Sequence, residues 1–152
     1  ANPSAYLVGV AATQALQEDV FSFLERRLLA PLGIDHPCCE RCSDGNFYGA
    51  TGMSLSVEEL SRIGMLLYHK GEYKGERLVS RAYVEQMTAL QQPAREGGYG
   101  YFLWQYRDGF SINGKWGQKC YILPKQEIMI TFLSHWPEDT LPLKLSMEKH
   151  LL

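Results

Sequence analysis

Residues 98–133 decide the fold class, and they read GYGYFLWQYRDGFSINGKWGQKCYILPKQEIMITFL. Runs rich in aromatic and β-branched residues are separated here by turn signals such as Asp108-Gly109, a pattern typical of antiparallel strands. Three strands are the simplest interpretation, within 99–106, 119–123 and 127–133.

Helical periodicity marks four segments before this run and one segment after it. These segments begin near Ser4, Asp19, Ser56, Ser80 and Leu141, and Ser4 and Ser80 are predicted to cap their helices. The first is rich in Ala, Val and Leu, and is predicted to be a buried helix. Ser56 and Glu59 have the spacing of a capping box, in which each side chain accepts a backbone N–H of the first turn. Residues 34–53 lack periodicity, so we expect a long loop there.

A series of helices followed by an antiparallel sheet is an α+β pattern. The sequence predicts one domain, with a mainly helical part over 1–96 and the strands and terminal helix over 97–152. The terminal helix reaches Leu152 without a capping residue, which indicates that the chain is part of a larger domain.

Composition excludes several classes of function. Seventeen acidic residues against fifteen basic residues give a formal charge of -2, and the longest basic run is a pair, so a nucleic-acid partner is not expected. The apolar runs are far shorter than the roughly 20 residues that span a bilayer, so no membrane span is expected.

Three of the four cysteines lie in a short segment, at Cys38, Cys39 and Cys42. The gap between Cys39 and Cys42 is that of a zinc knuckle, but the second ligand pair that such a site needs is missing. We therefore predict free thiols, with neither a metal nor another cofactor, and keep a small zinc-binding module as a weaker alternative. Unpaired thiols slightly favour the cytoplasm, although localisation stays undetermined.

The order and spacing of several motifs resemble the serine β-lactamase-like hydrolases: class C β-lactamases, DD-peptidases (penicillin-binding proteins) and related esterases. The motifs are Asn2 as the end of a Tyr-x-Asn, Pro31-Leu32-Gly33-Ile34, Gly49-Ala50-Thr51-Gly52, the segment from Gly71 to Ser80, Gly98-Tyr99-Gly100 with Trp104, and Lys115-Trp116-Gly117. The resemblance implies a β-lactamase/transpeptidase-like fold and covers most of the chain.

The resemblance also implies a mechanism. In this superfamily a Ser, activated by a Lys three positions later, forms an acyl-enzyme, while a Tyr moves a proton and backbone N–H groups form the oxyanion hole. The Ser-x-x-Lys at Ser146 follows the other motifs instead of preceding them, so we reject it as the nucleophile. The nucleophile segment and the Tyr are expected N-terminal to Ala1.

Seven residues are candidates for the site on this resemblance. Asn2 would hydrogen-bond the substrate or orient the catalytic Lys. Lys115 would supply positive charge beside a substrate carboxylate, and Gly117 with the backbone of Gln118 would complete the oxyanion hole on a strand. Trp116 replaces the usual Thr, which counts against strong β-lactamase activity. The remaining two candidates, for lining an acyl pocket, are Tyr48 and Tyr101.

Two functions follow as hypotheses. The first is a serine hydrolase that acts on a small ester, amide or peptide-like bond, with its nucleophile outside this chain. The second is a catalytically inactive homologue that binds a ligand or a partner through the same cleft. In both cases the expected partner is the N-terminal part of the same protein, without which this chain should be inactive and incompletely stable. The four histidines are predicted to be structural or surface residues.

Overall fold

The computed structural model describes residues 2–94, 97–135 and 141–151, and of Asn2 and Leu141 the backbone alone. The helices in these ranges are α1 (Asn2–Leu16), α2 (Val20–Leu24), α3 (Val57–Tyr68), α4 (Arg81–Thr88) and α5 (Leu141–His150). The strands are β1 (Cys38–Cys39), β2 (Met53–Ser54), β3 (Glu72–Tyr73), β4 (Glu76–Arg77), β5 (Trp104–Tyr106), β6 (Gly109–Asn113), β7 (Lys119–Leu123) and β8 (Ile128–Phe132).

Helix α1 differs from its prediction in two ways. It begins at Asn2, so Ser4 lies inside the first turn and does not cap the helix. None of the α1 side chains that the structure describes is buried, and Leu7 and Val8 are more than half exposed. The prediction of a buried helix was therefore wrong for the described part of the chain, because neighbours cover only one side of α1.

Helix α2 confirms its predicted start. The Asp19 carboxylate accepts the Ser22 backbone N–H at 2.9 Å, and the helix continues as a π-helical turn over Glu25–Leu29. Arg41 reaches the same carboxylate with both terminal nitrogens, at 2.8 and 2.9 Å. These hydrogen bonds hold the pKa of Asp19 well below its usual range, and the interaction with Arg41 is the largest cause.

The segment 34–53, predicted as a loop, contains a small hairpin. Strands β1 and β2 pair antiparallel, with Cys38 opposite Ser54, and the Cys42 backbone N–H donates to Asn46 at 2.9 Å. Strands this short leave no detectable alternation in the sequence, which is why periodicity missed them. Arg41 joins the hairpin to α2 through Asp19.

Helices α3 and α4 begin at their predicted caps. Ser56 and Glu59 make the reciprocal pair of a capping box, with distances of 3.2 and 2.7 Å, and the Ser80 hydroxyl accepts the Tyr83 N–H at 3.2 Å. Not every apolar residue of these two segments is buried, since Val57 is 39% and Leu90 56% exposed.

The C-terminal sheet has four antiparallel strands in the order β5-β6-β7-β8. The prediction of three strands was wrong in number, because the chain turns at Arg107-Asp108 and residues 109–113 form a further strand between β5 and β7. Asn113 pairs with Lys119 at the end of the β6–β7 ladder, which leaves a tight connection between these two strands.

Helices cover both faces of this sheet. Successive side chains of a strand point to opposite faces, and in β7 Cys120 and Ile122 pack with α3 and α4, while Tyr121 and Leu123 pack with Met147 of α5. A Cβ at Gly64 would lie 2.7 Å from the Cys120 sulfur, so glycine allows α3 to approach the sheet closely. The α+β fold class is therefore confirmed.

Helix α5 is tied to the sheet by a polar contact. The Tyr106 hydroxyl donates to Glu148 at 2.6 Å, and burial together with this hydrogen bond raises the pKa of Tyr106. Across the ranges that the structure describes, no helix combines the length and the apolar character needed to cross a bilayer.

Candidate functional site

The connection between β6 and β7 carries the residues Lys115 to Gln118. The family resemblance placed this motif on a strand, but the structure shows a 3-10 turn over Lys115–Gly117, and β7 begins at Lys119, as the strand predicted over 119–123 does. The Gly114 backbone N–H donates to the Gln118 carbonyl at 2.7 Å and closes the turn. The motif therefore forms a tight turn at one end of the sheet.

The backbone of this turn is left-handed at two successive residues. Trp116 has φ 61° and ψ 21°, and Gly117 has φ 90°. The left-handed region is disfavoured for a residue with a Cβ such as Trp116, and such outliers are concentrated at functional sites. The conformation explains why a glycine stands at 117 but gives no reason for a tryptophan at 116.

Three side chains form a stack on the outer side of the turn. The Lys115 ammonium lies 4.6 Å from the centroid of the Trp116 ring, and the His135 ring meets the same indole edge to face at 4.8 Å. Trp116 is 44% exposed. Within the residues that the structure describes, no carboxylate lies within 4.0 Å of the Lys115 ammonium, so its positive charge faces solvent and an aromatic ring.

Two polar side chains flank the turn. The Gln118 Nε2 donates to the Ser134 carbonyl at 2.9 Å, which joins the turn to the segment after β8. Gln118 Oε1 and Asn113 Oδ1 are buried, and neither accepts a hydrogen bond from a described residue. Buried acceptors of this kind are uncommon because each costs about 1–3 kcal/mol, and they favour a functional role for the turn.

Asn2 and Tyr48 belong to a second region, at the start of α1. Asn2 is the first residue of α1, and its side chain lies outside the described part of the chain. Tyr48 is 38% exposed, and the centroid of its ring lies 6.3 Å from that of Tyr6. Tyr6 follows Asn2 by four residues, which is about one helical turn. The Tyr6 hydroxyl donates to Asp44 at 2.5 Å, which raises the pKa of Tyr6 and lowers that of Asp44.

Tyr101 lies against α4 and away from the turn. Its hydroxyl accepts Gln86 Nε2 at 3.2 Å, and its ring tilts toward Tyr83 at 6.4 Å. Its neighbour Phe102 is the residue that faces α1, with φ 59°, and it is 51% exposed. Phe102 lines an open apolar cavity of about 190 Å³ together with Ala5, Val8, Gly9, Ala12, Val20, Leu24, Phe47 and Gly49.

Sequence reasoning assigned no site role to four residues in these two regions, Asn113, Phe102, Ser134 and His135, and His135 was expected to be structural or on the surface. No local motif could have found Phe102, Ser134 or His135, because each contacts a segment that is distant in the chain. Only the short spacing from Asn113 to Gln118 signals a tight connection.

The cysteine segment shows no metal centre. Cys38 is exposed, Cys39 and Cys42 are half-buried, and burial raises the pKa of the Cys39 thiol. Among residues 2–94, 97–135 and 141–151, no group of three or more His, Cys, Asp or Glu side chains could hold a metal ion. The fourth thiol, Cys120, is buried in the sheet and accepts the Thr131 hydroxyl at 3.3 Å.

Comparison with known proteins shows similarity at the level of structure. No family model and no curated protein matches the sequence. A provisionally assigned 6-aminohexanoate-dimer hydrolase from Bacillus anthracis matches 68% of this chain with a TM-score of 0.55 and 23% identity. A provisionally assigned β-lactamase from Bacteroides dorei DSM 17855 matches 83% of the chain with a TM-score of 0.60 and 18% identity.

The fold is β-lactamase-like. The resemblance inferred from the motifs is confirmed at the level of the fold, since one solved structure is described as a β-lactamase and the other as a hydrolase. The chain spans 30% and 47% of the lengths of these two proteins. Because one fold hosts many activities, function has to be argued from the residues of the site.

Proposed function

We propose that the chain is part of a serine hydrolase of the β-lactamase-related type, which acts through an acyl-enzyme on a small ester, amide or peptide-like bond. One observation carries the proposal: in a β-lactamase-like fold, the turn from Lys115 to Gln118 combines left-handed backbone with a cation that no described carboxylate neutralises. The hydrolase names of both structural neighbours support it.

The turn would stabilise or attract negative charge during the reaction. Attack on a carbonyl carbon creates an oxyanion, and preorganised backbone N–H groups stabilise it more strongly than the ground-state oxygen. The backbone N–H of Gln118 is our candidate for one such donor, and Gly117 leaves room for the acyl group. The ammonium of Lys115 would attract a substrate carboxylate.

The remaining parts of the mechanism lie outside these residues. The nucleophilic Ser, its Lys and the proton-transferring Tyr would belong to the rest of the protein, which would also cover the exposed apolar residues of α1. Asn2 would orient the catalytic Lys or the substrate. Water would then hydrolyse the ester bond between the acyl group and the Ser, releasing the acid.

The indole of Trp116 affects which class of substrate fits the proposed site. It stands beside the Lys115 ammonium, where a small hydroxyl side chain would leave more space and a hydrogen bond for a β-lactam carboxylate. An esterase or amidase therefore fits the site better than an efficient β-lactamase.

A catalytically inactive, ligand-binding homologue is the second candidate. The contact between Lys115 and Trp116 favours it, since an aromatic ring already occupies one side of the cation. The two functions differ in turnover: a binding module would retain a carboxylate ligand without forming a covalent adduct.

The test uses the full-length protein that contains this chain. We expect a fluorophosphonate probe or a fluorescent penicillin to label one Ser covalently. Lys115→Ala should raise KM for a carboxylate-bearing ester about tenfold or more, with a much smaller change for a neutral ester. Lys125→Ala, at the other end of β7, is the matched control because Lys125 is an exposed lysine paired with Asp108. A full-length protein that neither probe labels and that hydrolyses no ester or amide is not a hydrolase of this type.

A further inference from the structure

The segment after β8 holds the turn through two contacts of different chemistry. The Ser134 carbonyl accepts the side-chain Nε2–H of Gln118 at 2.9 Å, and the adjacent His135 ring packs on Trp116 with centroids 4.8 Å apart at 61°. One contact holds the Gln118 side chain at the end of the turn, and the other holds its exposed aromatic ring. Both come from neighbouring residues, so this short segment acts on the turn as a unit.

Trp116 needs such support. Its backbone is in the left-handed region, and its side chain is nearly half exposed, so neither local conformation nor burial keeps the ring in one orientation. The described contacts of the ring are the Lys115 ammonium on its face and the imidazole of His135. Of these two, the lysine side chain is long and flexible, which leaves His135 as the more rigid neighbour.

We infer that His135 is a positioning residue, which holds the Trp116 ring as the platform on which the Lys115 ammonium rests. The inference rests on the proposed function, because it assigns the placement of the substrate-attracting cation to a residue that need not touch the substrate. All three side chains lie at the surface, so the stack contributes little to a core, and its effect should appear in the position of the Lys115 ammonium.

The decisive experiment measures where the ammonium lies. In the full-length protein, the protons on Cε of Lys115 should show an upfield ring-current shift in the NMR spectrum, because they lie beside the indole. His135→Ala should remove most of this shift, and His135→Phe, which keeps a flat ring, should restore it. His69→Ala is the matched control, since His69 also meets an aromatic ring, Tyr68, edge to face at 5.0 Å but has no lysine in the stack.

Kinetics then tests the consequence for the substrate. His135→Ala should raise KM for a carboxylate-bearing ester about two- to fivefold, the factor that corresponds to a surface cation–π contact, with kcat unchanged. His135→Phe and His69→Ala should keep the wild-type KM.

The results test the positioning role of His135 and the proposed function separately. An unchanged Lys115 shift in His135→Ala overturns the inference, whatever the activity, and so does a lost shift with an unchanged KM. If the wild-type protein has no hydrolase activity, the proposed function fails and the KM arm is replaced by titration with hexanoate as the carboxylate probe. If His135→Ala raises the Kd for hexanoate and His135→Phe restores the wild-type value, the positioning role is supported. If the Kd for hexanoate does not change in His135→Ala, the positioning role is overturned.

Discussion

Helices α1 and α3 are similar in length but differ sharply in burial. Helix α3 buries four residues: Leu60, Gly64 and Leu67 form one stripe that faces the sheet, and Leu66 packs into a second cluster. Helix α1 is longer and richer in small and aliphatic residues, yet none of its described side chains is buried. The number of apolar residues in a helix therefore does not decide how deeply the helix lies in the protein.

The arrangement of the apolar residues explains the difference. In α3 most of them lie on one face, where Leu60 and Leu67 pack against the sheet, and Leu66 packs into the neighbouring cluster around Phe21. In α1 they surround the helix, so full burial requires neighbours on every side. The structure supplies neighbours on one side, where α2, Phe47 and Phe102 help to line the cavity beside Ala5 and Gly9. That the rest of the protein covers the other side stays a prediction.

The largest expected effect comes from truncating one leucine in each helix. Leu66, 2% exposed, fills the core, so Leu66→Ala should lower the free energy of unfolding by about 3 kcal/mol. Leu7 is 63% exposed, and Leu7→Ala should cost less than about 0.5 kcal/mol. Urea denaturation measures both. Equal losses in the full-length protein would mean that α1 is buried there to the same degree as α3.

The ends of the two helices allow a second comparison. Both are followed by left-handed residues, Gly71 after α3 with φ 89° and Gln17 after α1 with φ 55°. A Cβ at position 71 would lie 2.1 Å from the Val79 carbonyl oxygen, so Gly71→Ala should destabilise by roughly 2 kcal/mol or more. Gln17→Gly should instead stabilise by about 0.5 kcal/mol, because it removes a strained Cβ from an exposed position. Changes in midpoint on thermal unfolding give the signs, and a stabilising Gly71→Ala would contradict the geometry.

The smallest expected effect concerns the helix starts. Ser56→Ala removes one half of the capping box and should cost about 1 kcal/mol. Ser4→Ala, inside the first turn of α1, removes no cap and should change stability by less than about 0.5 kcal/mol. Amide hydrogen exchange in the first turn of each helix would localise the difference. Faster exchange at Ser4→Ala than at Ser56→Ala would show that the assignment of the caps is wrong.

Local signals in the sequence were reliable where one residue forms the structure with its near neighbours. The helix starts at Asp19, Ser56 and Ser80 were predicted, and each of these side chains accepts a backbone N–H within three residues. The fourth strand was missed although Asp108-Gly109 signalled a turn and Phe110, Ser111 and Ile112 alternate in polarity, because Gly109 and Asn113 read as turn residues and leave a run of only three residues between them.

The candidate site was predicted in part. The motif from Lys115 to Gln118 was found, but as a strand, because a strand is the setting of that motif in the family it resembles. In this chain Gly114 and Gln118 close the segment into a turn before β7 begins. The catalytic and substrate-binding roles of the candidates stay predictions.

The sequence by itself determined the α+β order of elements, the helix caps and the β-lactamase-like resemblance, because these depend on periodicity, on contacts between near neighbours and on the spacing of motifs. Tertiary structure alone decided the exposure of α1, the placement of Tyr101 against α4, and the stack of Lys115, Trp116 and His135. Each of these depends on which distant segments meet, and a pattern read along the chain does not contain that information.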